Sequence, residues 1–461
     1  MSANISMSAS MSATEPGPGP VSQQLLDQQE QYESSARTYP RHLPIAIRRA
    51  AGSYVEDMDG RQYIDFLSGA GVLTLGHSHP ELVAAAQRQL GEFVHGLDFP
   101  TPVKAEFTRR QLGMLPEPLR EEMKIHFCGP TGANAIEAAI KLAKITTGRS
   151  EIISFQGGFH GSTAGAMAVT GSVELKDRVP NQMPGVHFFP FPYCQRCPLG
   201  LDRDICSVNC ATYLERTLGD SHSGMSKPAA VVVEMVQGEG GCIPAPREFM
   251  RRLREITREH GILLIVDEVQ TGCGRTGTWF AFEQYGIEPD IITASKGLSG
   301  IGLPVSIMLY RKSLDTWGPG AHIGTFRGNQ VAFASGVAAL DVIERERVLD
   351  NVKAQGKLLG DLLGDLAKRS PWVGEVRGLG LMWGIELIDP GTGRSASALA
   401  SEVQAAALRN GLIVEIGGRD DCVVRLLPPL NVDGETITRA VRVLGEALAT
   451  ADRQLPSTAA A

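Results

Sequence analysis

Two short segments carry residues that could do covalent chemistry. ILLIVDEVQTG (262–272) runs from a Leu/Ile/Val stretch into Asp267, and PDIITASKGLSG (289–300) runs from another into Lys296, set among small residues. Apolar runs of that length read as buried strands. In an open α/β sheet, ligands bind beyond the carboxy ends of the strands. A lysine there can form a Schiff base with an aldehyde. An ionised aspartate can keep the ring nitrogen of pyridoxal 5′-phosphate (PLP) protonated, so that the ring accepts electrons. The same two residues could equally be a strand-end ion pair beside a surface lysine, so the reading needs support elsewhere in the chain.

Two further segments supply it. HFCGPTGANAIEAAIKLAKITTG (126–148) is a Gly-Pro-Thr-Gly turn running into a helix with Ile136, Ala139, Ile140 and Ala143 on one face. Unpaired N–H groups and the positive dipole end at a helix start bind phosphate, and Gly132, Ala133 and Asn134 would supply the amides. FQGGFHGST (155–163) brackets Phe159 and His160 with glycines, which lets an aromatic ring lie flat against a ligand. A core phenylalanine in a turn is the alternative there.

The elements that must position these residues follow from periodicity. EIISF (151–155), VVVEMV (231–236) and ILLIV (262–266) are short apolar runs, and a helix near 246–260 aligns Phe249, Met250, Leu253 and Ile256. Apolar strands alternating with amphipathic helices indicate an α/β fold, a mostly parallel sheet covered by helices on both faces. SYVEDMDGRQYIDF (53–66) reads as a hairpin turning at Asp59-Gly60. After about residue 340 a long helix (329–366), VRGLGLMWGIEL (376–387), a helix near 397–410 and VVRLLPPL (423–430) predict a smaller α+β domain. The expected division is a disordered tail at 1–20, an N-terminal segment (21–68) joining the small domain, a large domain (69–337), a C-terminal small domain (338–452) and a second disordered tail (453–461).

Composition narrows the function. Lys+Arg 44 against Asp+Glu 51 gives a net charge of −7, which argues against a nucleic-acid footprint. No apolar run is long enough to span a membrane. The first twenty residues lack the basic and apolar regions of a secretion signal, which predicts a cytoplasmic protein with reduced cysteines. Glycine numbers 52 of 461, above the usual ~7%; many lie in the four segments above, where backbone would come close to a ligand. Half of the eight cysteines crowd into YCQRCPLGLDRDICSVNC (193–210). The spacing of Cys194, Cys197, Cys206 and Cys210 suits a tetrahedral zinc site as well as plain thiols; no metal is assigned to the site.

Taken in order, these segments resemble the class III (ornithine/ω-amino acid) aminotransferases of fold type I, over about residues 30–450. LLIVDEVQTGCGRTG followed by PDIITASKGLSGIGLP looks like that family's signature. The resemblance implies that Lys296 is the Schiff-base lysine and the acid–base of the proton shift, with Asp267 on the ring nitrogen. It implies Val269 and Phe159 on the two ring faces, Gln270 reaching the ring hydroxyl, and His160 and Glu234 in the cofactor region. Thr325, in HIGTFRGNQ, would reach the phosphate of a partner subunit, and a homodimer follows. Arg425 would take the substrate α-carboxylate and Glu239 would pair with it as a gate. Related enzymes place an arginine after the stacking aromatic for a second carboxylate; here Ser162 stands in its place. ESSARTYPR (33–41), GAGVLTLGHSHP (69–80) and LDFPTPVK (97–104) look like the aminotransferases acting on 2,4-diaminobutyrate and 2-oxoglutarate, which serve siderophore and related pathways. Another ω-amine or aldehyde of a secondary-metabolite pathway is the alternative, as is a same-fold mutase or decarboxylase. Arg425 with Glu239 favours amino transfer.

Overall fold

The computed structural model describes residues 17–454. Most of the two expected tails lies outside that range. Inside it, Pro20 already opens a helix, Pro20–Tyr32, whose first amides (Val21 and Ser22 N–H) donate to Asp59 at 2.9 Å.

Seven strands form the central sheet. They are β1 (Met123–Phe127), β2 (Ile152–Phe155), β3 (Val186–Phe189), β4 (Ala230–Glu234), β5 (Leu263–Asp267), β6 (Ile291–Ala294) and β7 (Ile307–Arg311), in the order β1-β7-β6-β5-β4-β2-β3. β5 runs parallel to β4 and β6, and β2 parallel to β3 and β4; β7 alone runs antiparallel to its neighbours. Alternate residues serve opposite faces. Val231, Val233, Leu264 and Val266 join one core with Phe249, Met250, Leu253 and Ile256 of α2 (Arg247–Glu259). Ala230, Val232 and Ile265 join the other with Ile136, Ala139, Ile140 and Ala143 of α1 (Gly132–Thr147). Burial on both faces is why these strands read as unbroken apolar runs.

The expected long helix over 329–366 is two helices, α3 (Gln330–Arg345) and α4 (Val348–Ala367). Arg347 between them adopts φ +52, a left-handed conformation that no α-helix can pass through. Val376–Leu387 is likewise a hairpin, Val373–Leu379 against Met382–Leu387, turning at Gly380 (φ +59). It continues antiparallel through Val423–Leu426 to Glu415–Gly417. The N-terminal hairpin, Tyr54–Asp57 with Gln62–Asp65, pairs in parallel with Leu412–Ile413.

One side chain ties the C-terminal sheet to the central one. Arg275, fully buried, donates through Nη1 to Leu381 O (3.0 Å) and to Pro428 O. Burial pulls its pKa down to about 10. Among the described residues, no helix is long and apolar enough to cross a membrane.

Candidate active site

A cavity of about 570 Å³ opens at the carboxy ends of β4, β5 and β6, where Glu234, Asp267 and Lys296 end or follow their strands. Gly132, Ala133, Phe159, His160, Glu239, Val269 and Gln270 line it with them.

Asp267 is buried, and both of its oxygens have partners. Oδ1 accepts from Val269 N (3.0 Å) and Thr293 Oγ1 (3.2 Å), while Oδ2 meets His160 Nδ1 at 2.7 Å. Burial alone would lower the His160 pKa, but the hydrogen bond and negative charge of Asp267 outweigh it and raise it. His160 N–H in turn donates to Thr170 Oγ1 (2.9 Å), which fixes the loop carrying Phe159. Glu234 holds the same loop. Its carboxylate accepts from Phe159 N (2.9 Å) and Gly238 N (3.0 Å), and burial pushes its pKa up to about 7.

Lys296 follows β6 with φ +33, a strained value for a side-chain-bearing residue. The neighbouring Ser295 is pinned by Oγ donating to Val305 O (2.8 Å). Burial lowers the Lys296 pKa, partly offset by the charge of Glu239.

The helix-start turn is built around Thr131 and Asn134. Thr131 Oγ1 accepts from Asn134 N (3.2 Å), and Asn134 Oδ1 accepts from Gly129 N (2.7 Å) and lies 2.9 Å from His322 Nε2. Asn134 thus spends its amide on the turn, leaving Gly132 and Ala133 to face the cavity. Gly132 has no room for a side chain: a Cβ there would stand 2.8 Å from Val269 Cγ1.

On the substrate side, Arg425 is fully buried. Nη1 donates to Glu239 Oε2 (2.8 Å) and lies 3.1 Å from Glu415 Oε2; Nη2 donates to Gln270 Oε1 (3.1 Å). The coulombic pull of Glu239 and then Glu415 more than offsets burial and raises the arginine's pKa. Gln270, expected on the ring hydroxyl, therefore bridges Arg425 and Ala70 O (3.3 Å) while lining the cavity. Glu415 was missed from sequence, although it is the cross-strand partner of Arg425 and accepts from Tyr39 OH (3.2 Å). An acid inside the apolar run GLIVEIG was the available signal; Tyr39 offered none.

Thr325 is exposed and does not line the cavity, although Gly324 lies against Gly129. Ser162 is exposed as well. Cys194, Cys197, Cys206 and Cys210 are free thiols around a separate cavity with Tyr193 and Arg203. Among the described residues, no three His, Cys, Asp or Glu side chains stand close enough to hold a metal ion.

A buried carboxylate backed by a histidine, a strand-end lysine, an aromatic plate and a side-chain-free helix start together suit PLP: an aromatic ring with one basic nitrogen, an aldehyde and a phosphate. The fold and this pocket are those of fold type I PLP-dependent enzymes. The model of the aminotransferase class-III family matches residues 35–448. A diaminobutyrate–2-oxoglutarate aminotransferase of Rhizobium meliloti (strain 1021) is 48% identical over 431 residues, covering 92% of each chain. One from Haemophilus influenzae is 46% identical over 420 residues, covering 89% of this chain and 92% of the relative. An amine transaminase from an uncultivated Pseudomonas species, solved in its PLP-bound form, superposes with a TM-score of 0.82 at 29% identity, covering 91% and 98% of the two chains. Ornithine aminotransferase of Toxoplasma gondii gives a TM-score of 0.80 at 26% identity, covering 94% and 96%. The chain belongs to the class III aminotransferase family, and its cofactor is PLP.

Proposed function

We propose that the protein moves an amino group between L-glutamate/2-oxoglutarate and the terminal carbon of L-2,4-diaminobutyrate/aspartate 4-semialdehyde. The observation that carries this is the Glu239–Arg425 pair (2.8 Å), whose Glu239 lines the cavity with Lys296, read together with relatives that are diaminobutyrate–2-oxoglutarate aminotransferases. PLP supplies the aldehyde that carries the amino group and a ring that accepts electrons. Asp267 would hold a proton on the ring nitrogen, and His160 would hold Asp267 in position. Val269 and Phe159 would bracket the ring, with Glu234 positioning Phe159 through its backbone. Gly132 and Ala133 N–H would face the phosphate, with Asn134 shaping the turn.

Lys296 would take and return protons at the substrate carbon. Its depressed pKa favours the neutral amine that this role needs. Glu239 would screen Arg425 while a donor lacking a carboxylate at that point is bound. It would then release the guanidinium to the keto acid's carboxylate, with Glu415 keeping the arginine neutralised throughout.

We infer a homodimer in which Thr325 reaches the partner's phosphate. Supporting this are three large apolar side chains left exposed, Phe99 (67%), Ile323 (70%) and Phe326 (68%), the last two flanking Thr325. In the amination direction the enzyme would supply diaminobutyrate to siderophore or related assembly in the cytoplasm.

The test is spectroscopic. L-2,4-diaminobutyrate added to the yellow holoenzyme should remove the visible cofactor band, and 2-oxoglutarate should restore it. No spectral change with any amine would refute the enzyme assignment.

A further inference from the structure

A second hollow, a groove of about 1490 Å³, opens onto the first and shares Phe159 and Glu239 with it. Its far wall is the turn after Glu415–Gly417, which carries Arg419. This guanidinium is held in place: it lies 4.4 Å from the centroid of the Tyr193 ring, and Nη2 donates to Gln156 O (3.1 Å). Two more arginines crowd the same ring, Arg196 at 5.4 Å and Arg377 at 5.3 Å. Both are paired, Arg196 with Glu386 and Asp420, Arg377 with Glu375 and Glu386. Arg419 makes no ion pair among the described residues. Gly157 opposite leaves it space, since a Cβ there would stand 2.9 Å from Nη2. The result is a fixed guanidinium without a direct ion-pair partner among the described residues, on the wall of a groove that leads to Lys296 and that Glu174, Asp420 and Asp421 also line. A guanidinium has five N–H donors, and its planar fork matches a carboxylate.

We infer that Arg419 binds the substrate carboxylate remote from the reacting carbon, and so determines acceptor and donor specificity. The inference rests on the function proposed above. 2-Oxoglutarate held at its α-carboxylate by Arg425 carries a second carboxylate. Diaminobutyrate reacting through its terminal amine directs its carboxylate outward. Both place a negative charge toward the groove, and Ser162 offers nothing to meet it.

The test compares 2-oxoglutarate with pyruvate, which lacks the distal carboxylate, in the acceptor half-reaction of wild type and Arg419→Gln. The kcat/KM ratio of the two keto acids should fall about 10- to 100-fold in the variant, as expected for loss of a charged hydrogen-bonded contact. Arg419→Lys, which keeps the charge but not the fork, should fall between them. An equal slowing of both keto acids would overturn the inference, because a purely structural arginine predicts that. Glutarate and butyrate, neither reactive, give a second readout on wild type alone. Glutarate should perturb the cofactor absorbance at a concentration at least tenfold lower than butyrate, and equal affinities would also overturn the inference. Neither comparison uses diaminobutyrate. Failure of wild type to convert that amine would remove the amine assignment without touching this result.

Discussion

Replacing Glu239 with Gln should separate the two half-reactions rather than slow the enzyme uniformly. If Arg425 takes the keto acid's carboxylate as proposed, that carboxylate competes with Glu239 for Nη1, where Oε2 sits at 2.8 Å. A hydrogen bond involving charged groups contributes about 1.5–3 kcal/mol net, against about 0.5–1.5 kcal/mol for a bond to a neutral acceptor. Glu239 is 34% exposed at the cavity mouth, so solvent screens the pair and the lower ends apply. The amide of Gln would still accept from Arg425, so the change relieves about 1 kcal/mol of competition, or roughly fivefold tighter 2-oxoglutarate. The donor half-reaction should move the opposite way. With the amine bound, Arg425 would keep Glu415 alone as counter-charge, and donor kcat/KM should drop about tenfold. Stopped-flow absorbance of each half-reaction, run separately, reads both numbers. Equal losses in the two, or weaker 2-oxoglutarate, would refute the gate.

Lys296→Ala should abolish turnover while the purified protein still retains PLP, and borohydride followed by mass spectrometry should find no cofactor covalently attached; surviving turnover would displace Lys296 from its role. Glu234→Gln should change how stability depends on pH. The carboxyl rises from 4.5 to about 7 on folding, so its contribution is complete below pH 4.5 and is lost as pH climbs through 7. The difference amounts to roughly 3 kcal/mol. Urea unfolding of the cofactor-free protein should therefore show the variant gaining on wild type across that window; parallel curves would contradict the burial argument. Arg254→Ala should destabilise the sheet far from the site. It removes the fork (2.7 and 2.9 Å) from the buried Asp290 and leaves that carboxylate with Arg311 Nε at 3.5 Å and the Leu264 N–H, a loss of charged hydrogen bonds that costs about 1.5–3 kcal/mol. A loss below 1 kcal/mol by the same assay would count against it.

What the sequence disclosed depended on how far apart the cooperating residues lie along the chain. Asp267 and Lys296 each end an apolar strand, and the parallel register of β5 with β6 makes their juxtaposition a consequence of local pattern. The phosphate turn is local too, since Thr131, Gly132 and Asn134 are neighbours. Glu415 and Tyr39 are 376 residues apart, and their meeting is decided by tertiary packing that no window of residues contains. The break at Arg347 is unmarked because ERER (344–347) holds neither Gly nor Pro, and nothing in an arginine announces a left-handed backbone. Gln270 illustrates the reverse: its place in the motif was plain, but its engagement with Arg425 and Ala70 O emerged only from side-chain geometry.

The buried guanidinium of Arg275 also bears on motion. Its Nη1 is spent on the carbonyls of Leu381 and Pro428, and Nε and Nη2 are buried without partners. Were the C-terminal sheet to swing away as a rigid lid, those carbonyls would leave a cation already short of hydrogen bonds. That sheet is therefore bolted to the cofactor floor rather than hinged. A substrate would then have to enter past a wall that stays in place, along the groove lined by Phe159, Glu239 and Arg419.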